Sequence, residues 1–119
     1  GLGTPARLRA IEAATEAAGR QVAQANEDAN RTLRRLEGDV SATARQAGEA
    51  RTLTQAARSN LDLFQAQYQG GQRQVMDVVG VYETFAARQE AELDLKYEAL
   101  RLQVELARVQ GVLADGDQI

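Results

Sequence analysis

Three polar side chains, Tyr68, Arg73 and Asp77, flank a pair of glycines in the stretch YQGGQRQVMDV. A phenol, a guanidinium and a carboxylate at this spacing can form hydrogen bonds and ion pairs, which is the chemistry of recognition. Catalysis is not expected, because the chain has no cysteine and no histidine and so lacks thiol nucleophiles and imidazole bases. The same absence removes the usual zinc and haem ligands, so we expect no metal and no cofactor.

The simplest interpretation of this stretch is a turn between two helices. Gly70 and Gly71 can adopt positive φ at little steric cost, which would close a first helix and reverse the chain. Gln74 is then predicted to be the N-cap of a second helix. Asp77 would be the third helical residue, where its carboxylate can accept hydrogen bonds from free backbone N–H groups near the positive end of the helix dipole.

Each polar residue of the stretch therefore has a structural and a functional interpretation. Asp77 is either a helix-capping acid or a residue that selects among solutes. Arg73 is either solvated or paired with an acid on a neighbouring hairpin, and surface pairs contribute only ~0–1 kcal/mol. Tyr68 is expected to pack, with a hydrogen bond to a second hairpin as the alternative.

The flanking sequence predicts an all-α fold, a long antiparallel helical hairpin with the character of a coiled coil. Thr4 and Pro5 form an N-cap and first helical position, and no pair of helix breakers follows before the glycine pair. We predict a single helical hairpin over residues 1–119, with helices at about 4–69 and 75–114 and a tip turn at 70–74. Only five of the 119 residues are aromatic, too few for a thick globular core.

Apolar residues recur every three to four positions and form seams along both helices. The first helix carries Leu8, Ile11, Thr15, Ala18, Val22, Ala25, Ala29, Leu33, Leu36, Val40, Ala44, Ala47, Ala57, Leu61, Phe64 and Tyr68. The second helix carries one seam of Leu93, Tyr97, Leu100, Val104 and Ala107, and another of Leu95, Ala99, Leu102, Leu106, Val109 and Leu113. An offset of two residues places these two seams on nearly opposite sides of the helix. Because a hairpin covers only one of them, we expect helices flanked on both sides, as in a curved wall.

Two smaller features are also predicted to follow from this packing. Three glycines lie inside the first helix, at Gly19, Gly38 and Gly48, and we expect close backbone approach to a neighbour to compensate for their low helix propensity. Ion pairs are predicted on solvated faces, between Glu27 and Arg31 and between Glu92 and Lys96.

The charge of the chain excludes some partners. A net charge of −3 with interspersed signs gives no basic stripe, so we expect no nucleic acid partner. No apolar run approaches the ~20 residues that span a bilayer, and no leader-like segment begins the chain. We expect this sequence to be a portion of a longer protein.

The segment from Tyr68 to Leu113, with the opening GLGTPARLRAIEAA, resembles the C-terminal repeat of the TolC-like outer membrane efflux channel family. The family's recurrent form is Y-x-x-G-x-R-x-x-x-D-V, a helix with spaced alanine and tyrosine, and a closing G-x-L. The resemblance covers essentially the whole chain. Its helical part is weakly specific, and the turn motif carries most of the weight.

The resemblance implies a trimeric channel with a β-barrel in the outer membrane and a twelve-helix α-barrel in the periplasm of a Gram-negative bacterium. This chain would be one periplasmic hairpin of that α-barrel, with no β-barrel portion of its own. The implied function is the passive duct of tripartite drug efflux or type I secretion, driven indirectly by an inner-membrane pump. The implied partner is the helical hairpin of a periplasmic adaptor, or membrane fusion protein.

The resemblance also implies that the hairpin tip gates the duct and docks the adaptor. The matching positions are Tyr68, Gly71, Arg73 and Asp77, with Gly70 and Val75 beside them. One position departs from the best-known members, which have a second acid three residues after the first where this chain has Gly80. A double acidic constriction ring is therefore not predicted.

Two alternatives remain open at the level of sequence. The chain could itself be an adaptor hairpin, although the tip lacks the R-x-x-x-L-x-x-x-x-x-x-S signature of adaptors and the helices are unequal in length. It could also be a structural coiled-coil spacer, for which the residues at the tip would have no specific partner.

Overall fold

The computed structural model describes residues 3–117 and contains two long antiparallel helices. Helix α1 spans Gly3–Gln69 and helix α2 spans Val75–Asp117. A five-residue connection, 70–74, reverses the chain between them. The pair measures 104 × 23 × 13 Å and has no strand within the described residues. The prediction of an all-α helical hairpin is confirmed.

Helix α1 is close to straight and is much longer than α2. Its 67 residues correspond to ~100 Å at 1.5 Å per residue, which matches the longest dimension of 104 Å. Because α2 has only 43 residues, the first ~24 residues of α1, or ~36 Å, extend beyond its end. In that extension Leu8, Ile11 and Val22 are exposed. Neither helix has a stretch apolar enough to cross a membrane within the described residues.

The core between the helices is a single narrow seam that combines large and small side chains. Its most buried members are Leu36, Thr43, Ala50 and Leu61 on α1 and Glu92, Ala99 and Leu102 on α2. Alanine at two of these positions allows the backbones to approach closely. The approach is close enough for the Thr54 hydroxyl of α1 to donate to the Arg88 backbone carbonyl of α2 at 3.1 Å.

Alongside α2, the predicted seam of α1 is wrong at Ala44 and at Tyr68, which are both exposed, and it is incomplete between residues 47 and 57. Ala44 is exposed, and Thr43 beside it is buried instead. Thr43 can be buried because its hydroxyl donates to the Asp39 carbonyl of its own helix at 2.7 Å. Ala50 and the half-buried Thr54 continue the seam toward the tip.

The two predicted seams of α2 lie on opposite sides of the helix, and the hairpin buries only one of them. We call Leu93, Tyr97, Leu100, Val104 and Ala107 the outer seam. Its four large members retain 52%, 67%, 55% and 62% of their accessible surface in chain order. The hairpin therefore exposes an apolar stripe on the side of α2 that faces away from α1.

The glycines inside α1 do not make the predicted close contacts within the hairpin. A Cβ placed on Gly19, Gly38 or Gly48 would meet nothing within 4 Å, apart from the helix's own backbone. The expectation of close backbone approach is therefore wrong for the hairpin alone. Within residues 3–117, these positions keep the helix-propensity penalty of glycine without a neighbour that a Cβ would contact.

We therefore expect Gly38→Ala to stabilise the isolated chain by up to ~1 kcal/mol, and Gly48→Ala to do the same. Alanine restricts the unfolded backbone and fits open space in the folded helix. Urea denaturation followed by circular dichroism measures the gain. A loss of stability in either variant would show that the glycine contacts something that the hairpin does not contain, such as a second copy.

The ion pair predicted between Glu27 and Arg31 is replaced by a different pair. Arg31 pairs with Asp28, which also accepts a hydrogen bond from Gln24 at 3.0 Å. Three further pairs join neighbouring turns on exposed faces, Arg58 with Asp62, Arg101 with Glu98 and Arg108 with Glu105. Such surface pairs contribute little to stability, about 0.2–0.5 kcal/mol each in helices.

Candidate functional site

The hairpin tip begins with a Schellman motif that ends α1. The Gln72 N–H donates to the Gln67 carbonyl at 2.8 Å, and the Gly71 N–H donates to the Tyr68 carbonyl at 3.0 Å. Gly71 has a φ of +79°, the left-handed conformation that this motif requires. Gly70 has no positive φ, and an added Cβ there would lie 3.6 Å from the Ala66 carbonyl oxygen, an ordinary contact. Of the glycine pair, Gly71 is the one that the geometry demands.

Helix α2 begins with the reciprocal half of a capping box. The Gln74 N–H donates to the Asp77 carboxylate at 3.1 Å, and the Asp77 N–H donates to the Gln74 carbonyl at 3.0 Å. Asp77 is the acid in the first turn of α2, where it also meets the positive end of the helix dipole. The capping role predicted for Gln74 and Asp77 is confirmed.

Arg73 is held against α1 of its own chain. Its Nε donates to the Gln67 side-chain carbonyl oxygen at 2.8 Å, and its guanidinium carbon lies 4.1 Å from the centre of the Phe64 ring. This combination of a hydrogen bond and a cation–π contact orients an otherwise flexible side chain across the turn. Neither of the two predicted alternatives for Arg73 included this contact within the chain.

The remaining predicted tip residues are presented outward. Tyr68 and Val75 retain 48% and 54% of their accessible surface, and the neighbouring Met76 retains 68%. Tyr68 therefore does not continue the core seam, and Gln67 takes the half-buried position beside it. The structure thus brings the six predicted residues onto one end of the hairpin. That end is a polar turn beside exposed apolar side chains.

A polar cluster in the middle of the hairpin core was missed by sequence reasoning. Glu92 is only 9% exposed and pairs with Lys96 at 3.0 Å, although this pair was predicted on a solvated face. The Thr54 hydroxyl lies within hydrogen-bond distance of the Ala50 carbonyl at 3.0 Å as well as the Arg88 carbonyl at 3.1 Å. The burial of Glu92 could have been predicted from helical spacing. Phe85, Arg88 and Glu92 are separated by three and four residues, and the same alternation continues into the buried seam of α2 at Leu95.

The charges around this cluster favour the ionised form of Glu92. The Lys96 ammonium, followed by the Thr54 hydroxyl and with the smallest effect from the Arg51 guanidinium, holds the pKa of Glu92 below its ordinary value, against the opposite effect of burial. On the exposed face, hydrogen bonds from Arg101 and Arg108 likewise lower the pKa of Glu98 and Glu105. A lowered carboxylate pKa in the folded state links the stability of the hairpin to pH.

We therefore expect the hairpin to lose stability as the pH falls below ~4.5. The three shifted carboxylates stabilise the fold fully above their unfolded pKa, and this contribution disappears as each is protonated through its lower folded pKa. Melting temperatures measured between pH 7 and pH 2.5 test this. Glu92→Gln should flatten the acid limb more than Glu49→Gln, a change at an exposed position. If melting temperature depended on pH equally in the two variants, Glu92 would not contribute to the loss of stability in acid.

Within residues 3–117, no cluster of acidic side chains is arranged to hold a metal ion. The grooves along the hairpin are open and shallow, such as the one lined by Ala86, Gln89, Glu92, Leu93 and Lys96 beside the outer seam. These grooves in the described part of the chain do not enclose a small molecule.

Comparison of the chain with protein-family models, with curated proteins and with solved structures finds no match. Its function must therefore be argued from the hairpin itself.

Proposed function

We propose that this chain is a periplasmic hairpin in the α-barrel of a TolC-like outer membrane channel, serving tripartite drug efflux or type I secretion. In this proposal the long helices form part of a tunnel wall in a trimer. The tip lies at the periplasmic end, where it gates the duct and docks the hairpin of an adaptor. An inner-membrane pump supplies the energy, and the duct conducts passively.

The outer seam is the observation that carries the proposal. A free two-helix coiled coil needs one apolar seam per helix, yet α2 has a second stripe that stays more than half exposed at Leu93, Tyr97, Leu100 and Val104. The wall of a helical barrel requires this arrangement, because each helix there has a neighbour on both sides. A solvated spacer has no use for a second stripe, and its exposure would favour aggregation.

The geometry of the tip supports a docking role. The Schellman motif and the capping box hold the turn in one conformation, and the Arg73 contacts brace it from the side. A rigid turn loses little conformational entropy on binding. The small residues Gly70 and Gly71 leave space beside exposed Tyr68 and Val75, into which the tip of an adaptor hairpin could fit.

The first experiment tests whether the proposed channel lies in the outer membrane and conducts ions. It uses the longer protein that would contain this hairpin, produced from its own gene. We expect an antibody against the hairpin to detect the protein in the outer membrane fraction of a density gradient. We also expect the purified protein to give discrete conductance steps in a planar bilayer. Recovery with the inner membrane would favour an adaptor hairpin. A protein without conductance that leaves both membranes on washing would favour a coiled-coil spacer.

The second experiment tests docking at the tip. A photo-crosslinking amino acid at Val75 should capture, in cells, a protein identified by mass spectrometry as an inner-membrane-anchored adaptor with a helical hairpin. The same amino acid at Leu53, which is exposed on α1 far from the tip, is the matched control. Replacing Gly70 with leucine, which the backbone of the turn can accommodate, should abolish the Val75 adduct while circular dichroism shows the helices intact. An unchanged adduct would remove Gly70 from the docking role.

A further inference from the structure

The outer seam of α2 also has the sequence of a self-complementary surface. We propose that in the free chain it binds a second copy of itself, with the two α2 helices antiparallel and related by a two-fold axis. In this pairing Leu93 lies against Val104 of the second copy, and Tyr97 lies against Leu100 of the second copy. Each contact occurs twice by symmetry.

The charged residues beside the outer seam set this register. Asp94 and Arg101 lie on the same edge of the seam, seven residues apart. In an antiparallel helix pair, equivalent edges of the two helices face each other. When Leu93 is placed against Val104 of the second copy, Asp94 falls opposite Arg101 of the second copy. On the other edge, Lys96 falls opposite the neutral Gln103.

The neighbouring antiparallel registers are disfavoured by like charges. Sliding one helix by seven residues in one direction places Asp94 opposite Asp94 of the second copy. Sliding it by seven residues in the other direction places Arg101 opposite Arg101 of the second copy. The first shift has no attractive pair to offset this repulsion. The second shift also places Asp94 opposite Arg108 of the second copy, but it keeps a like-charge pair that the proposed register does not have.

The parallel arrangement is disfavoured for the same reason. Parallel coiled coils pair opposite edges of the seam with an offset of five residues, which places Lys96 against Arg101 of the second copy. They also stack each seam position on itself, so Glu90 would face Glu90. Of the four alignments, only the antiparallel one with Leu93 against Val104 brings together opposite charges without a like-charge pair.

Asp94 and Arg101 are already placed for this contact in the single chain. Glu98 holds the Arg101 guanidinium with two hydrogen bonds, at 2.6 and 3.0 Å, which fixes part of a long side chain before association. Asp94 is exposed and reaches the same edge. From Ala86 to Gly111 the paired stretch would be ~38 Å long, several turns of coiled-coil contact.

This inference does not depend on the proposed function. In a barrel the same seam would be covered by another helix of the wall, whereas here its occupant is a second copy of the free chain. The test uses only the 119-residue chain, so either proposal can fail while the other stands.

Disulfide trapping distinguishes the two orientations, because the chain has no cysteine of its own. Leu93→Cys and Val104→Cys are made as separate variants and mixed under mild oxidation. We expect the mixture to form a crosslinked heterodimer and each variant alone to remain uncrosslinked. In the proposed register a residue is ~16 Å along the axis from its own copy, beyond the ~7 Å that a disulfide allows between Cα atoms. Efficient crosslinking of each variant with itself would overturn the antiparallel arrangement.

Sedimentation equilibrium tests association and register. We expect the sedimenting species to have about twice the monomer mass of 12.9 kDa. Leu100→Lys should raise the dimer Kd at least ~100-fold. Leu53→Lys, at an exposed leucine of α1, is the control and should leave the Kd unchanged. Asp94→Arg should weaken the dimer about tenfold, and adding Arg101→Asp should restore it. A monomeric chain, or no rescue by the double swap, would overturn the proposal.

Discussion

Alanine at Leu61 is expected to lower the free energy of unfolding of the chain by about 3 kcal/mol. Leu61 is only 4% exposed, and it anchors the part of the seam between the polar cluster and the tip. A hairpin with a single narrow seam has few other apolar contacts to compensate for the lost methyl groups. Urea denaturation followed by circular dichroism, at a fixed protein concentration, measures the change.

Leu63 provides the matched control for this prediction. It lies on the same helix two residues away but remains 52% exposed, so Leu63→Ala should change the free energy of unfolding by no more than ~0.5 kcal/mol. The two variants remove the same atoms from a helix of the same propensity and differ only in the face affected. A similar loss in both would mean that Leu63 is buried by another copy of the chain.

The positions of the two helices follow from local signals in the sequence. Pro5 is tolerated only near the start of a helix, and Gly71 supplies the positive φ that ends α1. Between Pro5 and Gly71 the sequence contains no pair of helix-breaking residues. Helix α1 can therefore continue without interruption from one signal to the other. The double seam of α2 could also be predicted, because its large side chains recur at helical spacing over four turns.

Burial within the core was predicted less well, because hydrophobicity is an incomplete guide to it. Ala44 is more apolar than Thr43, yet Thr43 occupies the core position and satisfies its hydroxyl on the Asp39 carbonyl. Glu92 is buried because it lies on the face of α2 that meets α1, and its carboxylate pairs with Lys96 one turn further along its own helix. Where a polar side chain finds a local partner, helical phase predicts burial better than residue type.

At the tip, too, features that depend on neighbouring residues were predictable and contacts between the two sides of the turn were not. Capping by Asp77 and reversal at the glycines depend on residues within one turn of each other, and both were predictable. The contacts of Arg73 with Gln67 and Phe64 form only after the chain has reversed. Residue spacing within one helix cannot predict these two contacts, because the geometry of the turn decides which face of α1 the Arg73 guanidinium meets.

Alanine at Gly71 is expected to destabilise the hairpin by about 1–2 kcal/mol, the cost of placing an L-residue in the left-handed region. Gly71 has a φ of +79°, and its N–H and the next one close the Schellman motif, so the backbone cannot relax without losing both hydrogen bonds. Gly70→Ala is the control, because an added Cβ there makes only ordinary contacts at 3.6 and 3.7 Å. We expect that variant to be neutral or slightly stabilising. Urea denaturation measures both variants, and an unchanged stability of Gly71→Ala would show that the turn does not require the left-handed conformation of glycine. That outcome would favour a tip whose glycines are retained for a partner, whereas the expected one shows that the turn itself demands Gly71.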